Sequence, residues 1–109
     1  MKEDAAVVER LWQTARFLPQ SVRLLGTRYR ALFIPYAQQF SAVGEAAPVA
    51  DGIAFVDWMF RQNRVALLVP EQRALRNDER ALRRRYRLKR DGKTVAAVEK
   101  WKVLQWLRL

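Results

Sequence analysis

The residues of this chain best suited to chemistry are cations. Arg73, Arg76, Arg80, Arg83, Arg84, Arg85, Arg87, Lys89, Arg90 and Lys93 crowd into one stretch, and sixteen of the 21 cations in the chain are arginine. A guanidinium presents fixed, paired N–H donors that match carboxylate or phosphate better than an ammonium does. The chemistry on offer is therefore anion recognition. Residues 1–60 hold six Lys/Arg and six Asp/Glu, whereas residues 61–109 hold fifteen against five, so the second half carries the whole net charge of +10. An acidic partner would relieve that self-repulsion. The plainer alternative is a solvated charged face.

Other chemistry is poorly supplied. The chain has no cysteine and no histidine, which removes thiolate metal sites, disulfides and the commonest general base. No phosphate-cradling glycine loop or nucleophile elbow occurs. Asp57 is the one carboxylate set among large apolar residues, Val56 and Trp58. Burial would raise its pKa toward general acid or base work, while the structural alternative is that it faces outward or pairs with an arginine. No catalytic residue, cofactor or metal is expected, and the protein reads as a non-enzyme.

The elements that must position the cations follow from periodicity. Val8, Leu11, Trp12 and Ala15 make one stripe of a first helix from Asp4 to about Phe17, with Asp4 as N-cap. Pro19 opens a short second helix that ends at Gly26. Thr27 caps a third, about Arg28 to Ser41, with Tyr29, Leu32, Phe33, Tyr36, Ala37 and Phe40 on a core face and Pro35 inside. Val43 to Gly52 reads as loop, and Pro48 or Asp51 opens a central fourth helix to about Arg61. Trp12, Phe55 and Trp58 are expected in the core. After a polar break and a short apolar run from Val65 to Val69, a fifth helix starts at Pro70. Its apolar positions are sparse, which predicts a surface helix with Arg73, Arg76, Arg80 and Arg83–Arg84 along one face.

The period then changes to two. Tyr86 and Leu88 alternate with Arg85, Arg87 and Lys89, and Asp91-Gly92 follows at once, a strong hairpin signal. Thr94 to Trp101 is the expected return strand, although Val95, Val98, Trp101 and Leu104 also fit a helix. Trp101 to Leu109 stays open between strand and helix. The fold class is α+β: four to five packed helices, then a basic β-hairpin. One domain is expected, residues 1–62 a helical core and 63–109 a basic helix plus hairpin. The acidic start opposes a secretory signal, and the longest charge-free run of the first half is shorter than a membrane span needs. A soluble cytoplasmic protein is expected, with no membrane partner.

Two partners fit the cationic surface. Nucleic acid is one, with phosphates on arginine and bases stacked on Tyr86, Trp101 or Trp106. An acidic peptide is the other. If Arg85–Arg90 forms an exposed edge strand, a peptide can add to it by main-chain hydrogen bonds, and Arg and Lys can read its acidic side chains. The candidate peptide- or nucleic-acid-binding residues are Arg76, Arg80, Arg83, Arg84, Arg85, Tyr86, Arg87, Lys89, Arg90 and Lys93.

From Phe17 to Phe60 the chain carries Leu18-Pro19, Leu24-Leu25-Gly26, then Tyr29 with Leu32, Phe33, Tyr36 and Phe40, then Pro48, and Ala54-Phe55-Val56-Asp57-Trp58-Met59. This pattern resembles the small helical partner proteins of multinuclear non-heme iron oxidases, which occur as separate chains or as a C-terminal extension of the oxidase. An older label for the related helical domain marks it as DNA-binding. The resemblance implies a non-catalytic partner that delivers a ribosomally made precursor peptide to an iron-dependent oxidase. It also implies that the iron ligands lie in the oxidase, and it offers no catalytic residue to carry over.

Overall fold

The hydrophobic face of one helix organises the molecule. The computed structural model describes residues 5–62 and 66–101. It contains α1 (Ala5–Ala15), α2 (Pro19–Leu25), α3 (Arg28–Gln39), β1 (Ser41–Val43), α4 (Ala47–Arg61), α5 (Val69–Arg85), β2 (Tyr86–Asp91) and β3 (Thr94–Glu99). This is the α+β architecture expected, five helices with a C-terminal hairpin. Pro48 sits in the first turn of α4, where its missing N–H costs nothing. Every residue of α4 from Val49 to Val56 is buried, as are Trp58 and Met59. Tyr29, Phe33 and Tyr36 of α3 pack their rings around Phe55, with centroids 5.9, 5.3 and 5.7 Å away. Leu75 and Leu82 of α5 and Val95 of β3 join the same core, so residues from both halves of the chain bury one another.

Several expectations shift. Trp12 is 54% exposed and builds no core. The contact line of α1 runs instead through Leu11 and Thr14, both fully buried, with Val7 and Ala15 packed beside them. A stripe read one position away has the same period, so spacing alone does not choose between the two. Asp4, the expected N-cap, lies outside the described residues. Thr27 makes no side-chain cap bond to α3. Ser41 is not helical: Phe40 turns extended, and the Ser41 N–H donates to the Lys93 carbonyl at 2.8 Å, opening β1. The expected loop from Val43 to Gly52 is correspondingly short, because α4 starts at Ala47.

The fifth helix is not a surface helix. Glu71, Ala74, Leu75, Asp78, Glu79 and Leu82 are buried. Asp78 accepts hydrogen bonds from the Ser21 N–H and hydroxyl, both at 2.7 Å. Glu71 accepts from Arg28 at 2.7 Å and from the Leu68 N–H at 2.8 Å, closing the first turn. Two buried carboxylates, Asp78 and Glu71, thus help dock a helix with few apolar residues, and hydrophobic periodicity is blind to them. Against α4 the approach is close: a Cβ on Gly52 would lie 3.0 Å from the Leu82 Cδ1.

The sheet order is β1-β3-β2. β1 runs parallel to β3, with Ser41 opposite Thr94 and Val43 opposite Ala96. β2 is antiparallel to β3, with Tyr86 opposite Glu99 and Asp91 opposite Thr94. The turn is therefore Gly92-Lys93, one residue later than an Asp-Gly turn. Gly92 has φ 60°, and no non-glycine residue has positive φ among those described. Positive φ at the first central position alone is the pattern of a type II′ hairpin.

Candidate functional site

Main-chain geometry defines the site before any side chain does. Among the described residues β2 has one neighbour, β3, so its outer side is an open edge. The phase of that edge can be read. Ser41 donates to the carbonyl of Lys93, so the odd-numbered residues of β3 turn their polar groups to β1. Thr94, Ala96 and Val98 then turn theirs to β2, where they face Asp91, Lys89 and Arg87. Tyr86, Leu88 and Arg90 are left with N–H and C=O pointing outward, a ready template for another strand.

Side chains sort onto two faces. Tyr86 and Leu88 pack against the core, and Arg90, on the same face, lies with its guanidinium carbon 5.4 Å from the Phe40 ring centre. Arg87 and Lys89 project from the opposite face and are exposed. Their cross-strand partners on β3 are Val98 and Ala96, neither charged. Arg85, the last residue of α5, stands with its guanidinium carbon 5.9 Å from the Tyr86 ring centre.

The expected cluster is thus divided. Arg76 is neutralised by Glu79 at 3.2 Å and lies 3.7 Å over the Phe60 ring. Arg83 bridges Glu79 at 3.2 Å and Asp57 at 3.0 Å. These two arginines are ion-paired and reach α4, and each keeps nearly half of its side chain exposed. Asp57, the candidate acid or base, spends a carboxylate oxygen on Arg83. Burial holds the Glu79 carboxyl above its ordinary range. The bond and charge of nearby Asp57 add to that shift, and Arg83 opposes it. Arg80, Arg84, Arg85, Arg87, Lys89, Arg90 and Lys93 are exposed and form no ion pair among the described residues. Arg73 is likewise exposed. Trp106 lies outside the described residues.

Sequence reasoning missed the most buried carboxylate, Asp51, which is 1% exposed. It accepts two bonds from Arg10, each at 2.6 Å, and one from the Tyr36 hydroxyl at 2.8 Å. Burial works against the Arg10 charge, but the bond and charge of Asp51 outweigh it and raise its pKa. Burial, then the Asp51 charge, pushes the Tyr36 phenol far above its ordinary range. The network ties α1, α3 and α4 together. A second feature is a groove of about 430 Å³ beyond the end of β1, lined by Phe17, Pro48, Val49, Tyr86, Ala97 and Glu99. Neither feature has a spacing signature, because each is assembled from separate elements.

No group of three or more metal-ligating side chains occurs among the described residues, and no helix there is long and apolar enough to cross a membrane. Neither a protein-family model, nor a curated protein, nor a solved structure matches the chain.

Proposed function

We propose that the protein is a non-catalytic partner that binds an acidic precursor peptide on the β2 edge and presents it to an iron-dependent peptide-modifying oxidase. The observation that carries the peptide half is the open edge itself: outward main-chain groups at Tyr86, Leu88 and Arg90, flanked by the unpaired cations Arg87 and Lys89. The oxidase half rests on the resemblance of residues 17–60. The reading places the protein in the cytoplasm, where such peptides are made. Nucleic acid is the second reading. A base-stacking platform needs exposed aromatic faces: Tyr86 is half-buried against the core, whereas Trp101 is exposed.

The test is a titration of the purified protein with an acidic leader-type peptide and with a random-sequence oligonucleotide, each at two salt concentrations. Peptide binding that is lost in an Arg85→Ser, Arg87→Ser, Lys89→Ser triple variant, with an unchanged melting temperature, supports the reading. Tight oligonucleotide binding that weakens steeply with salt, with no peptide binding, refutes it. Co-purification with a neighbouring iron oxidase tests the second half.

A further inference from the structure

We infer that the edge reads its peptide with period two, selecting an acid–apolar–acid triplet centred opposite Leu88. The inference rests on the peptide-binding reading above and adds what the peptide must look like. Arg87 and Lys89 stand two residues apart on the face away from the core. On their β3 side they meet only Val98 and Ala96, so no acid within the hairpin lies directly opposite either of them. Among the described residues no strand covers their other flank, the outer edge. A strand added there places its own residues opposite Arg87 and Lys89, about 5 Å away between Cβ atoms, on that same face. The residue between them falls on the other face, beside half-buried Leu88, and extends the apolar surface that Leu88 and Tyr86 already cover. Its main chain meets the outward N–H and C=O of Leu88. The added strand is antiparallel: parallel addition would keep the same side-chain alternation but would bond Leu88 through the residues on either side.

A contiguous acidic block cannot satisfy this arrangement. It puts a carboxylate on the core-facing side directly against Leu88, where burial is costly. Net charge and local pattern are therefore separable.

The experiment uses the full chain and three synthetic peptides, with binding followed by fluorescence anisotropy at low and moderate salt. One peptide alternates Glu with Val, a second holds the same residues as a Glu block followed by a Val block, and the third is the alternating peptide N-methylated on its central Val residues. The alternating peptide is expected to bind about tenfold more tightly than its block isomer, and N-methylation is expected to cost about tenfold. A Leu88→Glu variant should bind the alternating peptide no better than the block. Equal binding of all three peptides overturns the period-two inference while leaving peptide capture standing. Binding of none of them, with oligonucleotide bound, overturns both.

Discussion

Replacing Asp51 is the most exacting test of how this core is held. Its two oxygens take both N–H groups of an Arg10 fork at 2.6 Å, and the Oδ1 atom also accepts from Tyr36. Asp51 is almost inaccessible, and the Arg10 side chain is only 22% exposed. Removing one partner of such a pair strands the other charge, which costs about 3–5 kcal/mol. Asp51→Ala should therefore lose about that much in urea unfolding followed by circular dichroism, a large part of a domain's total stability. Arg10→Met keeps most of the side-chain volume but strands the carboxylate, and should cost a comparable amount. The double variant strands neither charge, so its loss should fall well below the sum of the singles. The Arg28–Glu71 bridge provides the contrast. Arg28 is 44% exposed while Glu71 is only 6% exposed, and Glu71 keeps its bond from the Leu68 N–H, so Arg28→Met should cost about 1–3 kcal/mol, less than Asp51→Ala. A loss below about 1 kcal/mol for Asp51→Ala, or strict additivity in the cycle, would refute the claim that this pair clamps α1 to α4.

Gly52→Val should destabilise by about 1–3 kcal/mol through overpacking against Leu82 and Leu18, and Leu82→Ala in the same chain should recover part of that in melting experiments. Trp12→Gln should shift stability by less than about 0.5 kcal/mol, because the indole is largely exposed. The contribution of the buried tyrosines to stability should hold steady up to pH 10, the ordinary tyrosine value, and fall above it. Burial first, and the Asp51 charge second, raise Tyr29 and Tyr36 in the folded state, so the unfolded chain ionises first. Tyrosinate absorbance that titrates in step with unfolding would confirm this. Glu79 works in the same sense at acid pH. Its raised folded pKa means that its stabilising contribution is complete below 4.5 and is lost as pH rises through the folded value. Glu79→Gln should remove that slope from stability measured between pH 4 and 7.

The helices were legible where apolar residues repeat in a broad stripe. Tyr29, Phe33 and Tyr36 had to share a buried face, and the run from Ile53 to Met59 left little polar surface for a peripheral helix. The hairpin was legible because alternation from Tyr86 to Leu88 meets a turn-forming glycine. What stayed hidden was written in polar atoms or in partners. β1 is three residues long and gains its character only by pairing with β3, far away in sequence. The docking of α5 depends on Ser21 and Arg28 reaching Asp78 and Glu71, and those carboxylates look like solvated residues until their donors are placed. The same blindness merged Arg76 and Arg83 with the exposed cations. Their spacing along α5 suits an outward face, yet Glu79 and Asp57 draw both back onto the protein.

The junction between α5 and β2 has a mechanical consequence. Arg85 ends the helix and Tyr86 begins the strand, with no connecting residue between them. Such a joint has no slack. Force applied along the strand passes straight into a rod moored to α2 at Asp78 and to α4 through Arg83, so a load on the rim of the sheet is borne by the helical body.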